Sequence, residues 1–307
     1  MGEEEKIFVA YSGGKDSFFL CVALRELGYK VNPIILDIGY NVCWQKGIEV
    51  LKPYGIKVEV IDMQYVRKVL EHSIAEKINA YYEMTKDNIK NGLTVCTPCY
   101  NGKIVILDSL AKKWGVHEIV FGHHATDVVT SFLKSYLMYQ DRYEWQSKFF
   151  CFDVFREVVL NYKKIFEKNI RKNLKTKVYF EMEELLYRGL IGTDEPIRQK
   201  QNTFDIIRPL FKINEKDIID SVTKDNLIFQ EAECYRMNLR EINTLTPREI
   251  VKREICEEME LECMEWILTL IESELNDDGT LKYDARRRRT EILGKEYEKN
   301  LQSCMKL

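Results

Sequence analysis

Apolar residues fall along the first part of this chain in short dense runs separated by turns. Lys6–Tyr11 reads as a buried strand, and Asp16–Leu27 as the helix after it, closed by Gly28. Val31–Ile38 is a second apolar strand, Gln45–Tyr54 a helix ending at Gly55, and Lys57–Asp62 a third strand. Gly102–Trp114 is helical with Gly115 as its stop, and Glu118–Gly122 is a short strand. Strand and helix alternate at the spacing of βαβ units. The predicted fold is therefore α/β, a Rossmann-like parallel sheet with helices on both faces.

The alternation then breaks. Tyr139–Asn202 reads as mostly helical, and the next strand arrives only at Thr203–Ile207, before Arg208-Pro209. The pattern predicts one α/β domain from residues 1–138 and 203–237, a mostly helical insertion at 139–202, and a helical C-terminal region at 238–307. That last region holds an acidic stretch (Glu254–Glu274) and the run Arg286–Arg289. The chain shows no internal repeats.

Composition narrows the class. The 307 residues are 45% hydrophobic and 31% charged, ordinary for a soluble globular protein with a core. A net charge of −3 excludes a surface coated for bulk nucleic-acid binding, so such binding needs a local patch. No apolar stretch reaches the roughly 20 residues that span a bilayer, and no secretory leader is visible. The expected location is the cytoplasm, with no membrane partner. Nine cysteines, an odd number, favour thiols and a metal or redox site over a disulfide framework.

The chemistry begins at "AYSGGKDS" (Ala10–Ser17), between the first strand and its helix. Two glycines let backbone N–H groups approach an anion at a helix N-terminus, and Lys15 and the serine hydroxyls add a charge and donors. The loop is too short for the Walker pattern, and Asp16 follows the lysine. Ligands in such sheets sit at the carboxyl ends of strands, where "GHHATD" (Gly122–Asp127) also falls. Asp37, at the end of the second strand, either borders a nucleoside or caps its own strand end. The pair Cys96 and Cys99 in "VCTPCYNGK" suits a metal, an iron–sulfur cluster or a redox couple, and Lys103 follows at the opening of a helix.

"SGGKDS" after a first strand resembles the PP-loop of the ATP pyrophosphatases, the adenine nucleotide α-hydrolase superfamily. "IIRPLFKINEKDIIDSVTKDNLIFQEAECYR" (Ile206–Arg236) and "GHHATDVVTSF" resemble stretches of the TtcA/TtuA-like family, the tRNA 2-thiocytidine and 2-thiouridine synthetases. The resemblance covers roughly residues 6–138 and 204–236. It implies an AMP- and pyrophosphate-forming tRNA sulfurtransferase that uses ATP, Mg²⁺ and a 4Fe–4S cluster. Carried over by position, the cluster ligands are Cys96, Cys99 and Cys234. The nucleotide site is Ser12, Gly13, Gly14, Lys15, Asp16, Ser17, Asp37, Lys103, Gly122 and His123, and the catalytic residues are Asp127, Lys15, Cys96, Cys99 and Cys234. Thr126 and Thr130 depart from the acidic residues usual in that motif, and paired-cysteine zinc fingers are absent.

These parts make chemical sense together. Oxide leaves a pyrimidine carbonyl poorly, whereas an adenylated oxygen leaves as AMP when sulfur attacks the same carbon. Lys15 would stabilise charge developing on pyrophosphate, and Asp16 or Asp127 would hold Mg²⁺ or act as a base. A cluster held by three thiolates keeps one iron open for sulfur. Zinc and a persulfide relay are the alternatives at the same cysteines. Other readings also stand: a PP-loop sulfurtransferase for a small molecule or another nucleic acid, a phosphoadenylyl-sulfate-reductase-like enzyme, or a non-catalytic nucleotide or RNA binder.

The expected partners are tRNA and a sulfur donor, either a protein or sulfide, and a homodimer is among the expected assemblies. "NYKKIFEKNIRKNLKTK" (Asn161–Lys177) carries seven basic residues against one acid. Phe166, Ile170 and Leu174 recur along it, which predicts an amphipathic helix with a basic face for a phosphate backbone.

Overall fold

The computed structural model describes residues 6–39, 44–85, 96–138, 196–224, 247–259 and 261–282. Within them lies a six-stranded sheet in the order β3-β2-β1-β4-β6-β5. Its strands are β1 (Lys6–Ala10), β2 (Lys30–Leu36), β3 (Glu59–Ile61), β4 (Glu118–Phe121), β5 (Arg198–Lys200) and β6 (Asp205–Ile207). All neighbours run parallel except β5, which pairs antiparallel with β6.

The chain order reverses at β1, which pairs with β2 on one side and β4 on the other, with Phe8 opposite Asn32 and Ile119. A crevice therefore opens where the carboxyl ends of β1 and β4 part, the usual ligand position in such sheets. The glycine loop leaves β1 there, and Gly122–Asp127 leave β4 there.

Successive strand residues face opposite layers, so the apolar runs feed two cores. Ile34 and Ile119 pack under α3 (Met63–Leu70), α4 (Ile74–Thr85) and α5 (Cys96–Trp114). Ile35 and Val120 pack under α1 (Lys15–Glu26) and α7 (Glu215–Lys224). A third core joins α6 (Ala125–Met138) to α8 (Pro247–Glu254) and α9 (Leu261–Ser273), through Phe132, Leu133, Val251, Ile267 and Ile271. The C-terminal helices thus rest on α6, the helix that carries the second motif.

Several elements differ from the pattern-based expectation. Helix α5 starts at Cys96 rather than near Gly102, so the cysteine pair lies inside its first turn. Pro98 is compatible with that position, because first-turn amides have no intrahelical partner. Helix α2 (Trp44–Leu51) gives way to a 3₁₀ turn at Lys52–Tyr54. Residues 198–200, expected within the helical insertion, form β5. Arg198 holds that strand, with its Nε 2.7 Å from Asp205 Oδ2 and its Nη2 2.7 Å from Glu118 Oε1. Cys43, Cys151, Cys234, Cys304, the basic segment Asn161–Lys177 and Arg286–Arg289 lie outside the described residues.

Candidate active site

The glycine loop is braced by its own serines. Ser17 Oγ donates to the Gly14 carbonyl (3.1 Å) and accepts from the Ser12 N–H (3.3 Å), while Ser12 Oγ accepts from the Gly14 N–H (3.3 Å). Gly13 has φ 84, a left-handed conformation that a Cβ would strain. Gly14 caps α1 without a side-chain bond, which leaves first-turn amides for an anion. Two further glycines press on this turn. A Cβ on Gly47 of α2 would lie 2.6 Å from Gly13 Cα, and one on Gly122 would lie 3.0 Å from the Ser17 backbone nitrogen. Tyr11 fixes α2 in place by donating its hydroxyl proton to the Gly47 carbonyl (2.7 Å).

Three helix N-termini meet beside the loop, each with a carboxylate in its first turn: Asp16 on α1, Asp127 on α6 and Glu215 on α7. The positive ends of the helix dipoles favour those charges. Lys15 Nζ bonds Asp16 Oδ1 and Glu215 Oε1, both at 2.8 Å. Lys252 Nζ reaches Glu215 Oε1 and Oε2 at 2.9 and 2.8 Å, and Arg248 donates to Asp127 Oδ1. His124, 1% exposed, directs Nε2 into the same group, 3.4 Å from Asp127 Oδ2 and 3.6 Å from Asp16 Oδ1. Its Nδ1 is buried without a hydrogen-bond partner among the described residues.

The ionisations follow from this crowding. Burial opposes a charge on Asp127, yet His124, Arg248 and His123 hold its pKa down at about 2, and the His124 N–H donates to it (3.3 Å). Burial likewise opposes the charge on Glu215, and Lys15 and Lys252 outweigh it and lower the pKa. Lys15 is desolvated too, but its bonds to Asp16 and Glu215 raise its pKa. Burial, aided by Arg208, pushes His123 down to about 4, so its ring is neutral at pH 7. His123 Nδ1 accepts from Arg208 Nε at 3.2 Å, which puts the ring proton on Nε2. The buried Arg208 also donates to Gln199 of β5, tying that edge strand to the site.

Asp16 Oδ1, Glu215 Oε1 and a His124 nitrogen lie within 4.8 Å of one another, close enough to share a cation. Two carboxylates suit Mg²⁺, which takes its remaining ligands from water and phosphate oxygens; imidazole suits softer metals better.

Of the residues read from sequence, Ser12–Ser17, Gly122, His123, His124 and Asp127 come together in the crevice. Asp37 is turned to its own strand end, where Oδ1 accepts from the Gly39 N–H (3.1 Å). Cys96 opens α5, and Cys99 is half-buried in the same turn, a reduced thiol. Lys103 lies one turn further on. Helix α5 leads through a short turn into β4, so it runs antiparallel to that strand. Its first turn therefore lies at the sheet edge that carries the glycine loop. The two threonines in the acidic motif positions have structural partners. Thr130 donates to the Thr126 carbonyl (2.6 Å), and Thr126 Oγ1 accepts from the Glu215 N–H (3.4 Å).

Sequence reasoning missed Glu215, Arg248, Lys252, Arg208 and Gly47. Glu215 stood within Ile206–Arg236, the stretch already singled out for its family resemblance. For Arg248 and Lys252 the available signal was two cations four residues apart, and so on one face, in a segment that also carries the apolar pair Ile250 and Val251.

The chain is similar to several known proteins. Residues 6–132 match the family model described as queuosine biosynthesis protein QueC. Over 130 residues the chain is 32% identical to a tRNA-cytidine(32) 2-sulfurtransferase of Pseudomonas syringae pv. syringae, covering 42% of this chain and 44% of that protein. Over 132 residues it is 33% identical to the protein of that name from Tolumonas auensis, covering 43% and 40%. The matched stretch thus spans less than half the length of these relatives. The fold is shared with the U34-tRNA thiolase NcsA of Methanococcus maripaludis, solved with its [4Fe-4S] cluster. The TM-score is 0.52 at 15% identity, over 88% of this chain and 72% of that one.

Proposed function

We propose that this chain, a PP-loop protein similar to the tRNA thiolation enzymes, is an ATP-dependent sulfurtransferase that replaces a nucleobase carbonyl oxygen, in tRNA, with sulfur. The observation that carries this reading is the convergence of the glycine loop and three helix N-termini on one crevice, their carboxylates held by Lys15, Arg248 and Lys252.

The nucleotide phosphates lie on the loop amides and Lys15, and Asp16 and Glu215 would hold Mg²⁺, which when bound would supply positive charge beside the phosphates. The substrate carbonyl oxygen attacks the α-phosphorus, the bond to the β-phosphate breaks, and pyrophosphate leaves with its charge offset by Lys15. Hydrosulfide-level sulfur then bonds to the same carbon, the carbon–oxygen bond breaks and AMP departs. Asp127, ionised throughout the neutral range, holds and orients the substrate edge. A carboxylate of such low pKa is a weak base, so positioning suits it better than proton abstraction.

A 4Fe–4S cluster fits the cysteines by chemistry. Residues 96 and 99 share one face of a helix, and the N-terminal end of a helix favours thiolates. Cys96, Cys99 and Cys234 would hold the cluster, which when bound supplies an iron site for sulfur. Transfer RNA is the proposed partner, through the basic segment Asn161–Lys177. The ATP-binding domain is proposed to comprise residues 1–138 and 203–237. A second reading, a PP-loop enzyme for a small molecule, is favoured by the family model, which describes a biosynthesis protein.

The test is anaerobic reconstitution with iron and sulfide. A brown protein with about four irons, depleted by Cys234→Ala and releasing pyrophosphate from ATP in the presence of tRNA, is expected. An iron-free protein after reconstitution overturns the cluster, and no pyrophosphate release overturns the ATP chemistry.

A further inference from the structure

Helix α8 belongs to the C-terminal helical region, well beyond the residues that match the family model, yet it delivers two cations into the site. Arg248 and Lys252 are four residues apart and so share one face. Ile250, Val251 and Ile255 are buried in the core shared with α6, which fixes how that face is presented. Arg248 donates to Asp127 and Lys252 to Glu215, the first-turn carboxylates of α6 and α7.

We propose that Arg248 and Lys252 are a second set of phosphate ligands that hold the pyrophosphate portion of the nucleotide and make the site select a triphosphate over a monophosphate. This rests on the ATP reading above. Lys252 Nζ and Lys15 Nζ bond the same oxygen, Glu215 Oε1, so two ammonium groups stand side by side with one carboxylate between them. Three carboxylates (Asp16, Asp127, Glu215) are matched by three cations (Lys15, Arg248, Lys252) before any ligand enters. When a divalent cation takes Asp16 and Glu215, Lys15 and Lys252 lose their partners, and a polyphosphate supplies replacements.

The side chains are free to make that exchange. Arg248 and Lys252 are 46% and 27% exposed, whereas His124 is 1% exposed and locked. Lysine and arginine heads also suit phosphate oxygens as a point charge and a fork. A single phosphate held by the loop amides and Lys15 leaves the cations of α8 on their carboxylates; a chain of three engages them.

The experiment is calorimetric titration of the full-length protein with Mg²⁺ and either α,β-methylene-ATP or AMP. Lys252→Ala and Arg248→Ala are each expected to weaken the triphosphate analogue about tenfold and AMP by less than about twofold, as loss of a charge-assisted hydrogen bond implies. Lys252→Gln, which keeps a polar side chain but removes the charge, is expected to match Lys252→Ala. Equal weakening of both nucleotides, or none of either, overturns the proposal while leaving the ATP reading intact. If the unsubstituted protein binds neither nucleotide, the ATP reading itself fails. Circular dichroism of each variant confirms that the fold is retained, and a misfolded alanine variant is replaced by its glutamine counterpart.

Discussion

At the scale of single residues, the site is set by how closely backbones approach one another. Gly47 matters because it packs so close to Gly13 that an added Cβ would lie 2.6 Å from the Gly13 Cα. Gly47→Ala should push α2 off the loop, cost about 1–3 kcal/mol of stability and weaken nucleotide binding; retained affinity in a binding titration would show that the loop does not need that contact. Asp127 makes a separate prediction in acid. Its pKa is lowered in the folded state, so its contribution to stability is complete above the ordinary value of 3.8 and is lost as the pH falls through about 2. Between pH 6 and 2 the melting temperature of the native protein should therefore fall more steeply than that of Asp127→Asn. Parallel curves would mean that the Arg248 and His124 contacts do not stabilise the carboxylate.

At the scale of elements, α8 is predicted to be a functional part of the nucleotide site as well as a packing element. Ile250→Ala should cost about 2–5 kcal/mol and, where the protein is still folded, reduce nucleotide affinity, because it loosens the helix that carries Arg248 and Lys252. Leu110→Ala, equally buried but in the core under α5, should cost a similar amount and leave affinity unchanged. Equal effects on affinity would remove the special role of α8. The elements also show what sequence can tell. Strands β1, β2 and β4 were legible because central parallel strands are apolar on both faces and become dense runs. Strand β5 was not, since Arg198-Gln199-Lys200 has no apolar residue and is held by ion pairs to Asp205 and Glu118. The start of α5 was misread because Pro98 looks like a breaker, although first-turn geometry tolerates it. Helices α3 and α4 share a nearly continuous spacing through Val66, Leu70, Ile74 and Ile78, which Glu71 interrupts with a φ of 65.

At the scale of the whole molecule, the glycine loop and Asp127 were legible because their chemistry is local, packed into a few consecutive residues. Glu215, Arg248 and Lys252 were not, because their roles exist only once α7 and α8 dock near α1 and α6. Nothing in the local pattern of a solvated cation says which carboxylate it will meet. The proposal for the whole molecule is that adenylation and sulfur delivery both take place at the carboxyl ends of the parallel strands. Among the described residues no helix is long and apolar enough to cross a membrane. The most direct measurement is mass spectrometry of nucleosides from tRNA incubated anaerobically with the reconstituted protein, ATP, Mg²⁺ and sulfide. The account predicts a thionucleoside formed in step with AMP and pyrophosphate, and abolished by Cys99→Ala or Asp127→Ala. Unchanged nucleosides, with ATP still consumed, would contradict it and shift the substrate to a small molecule.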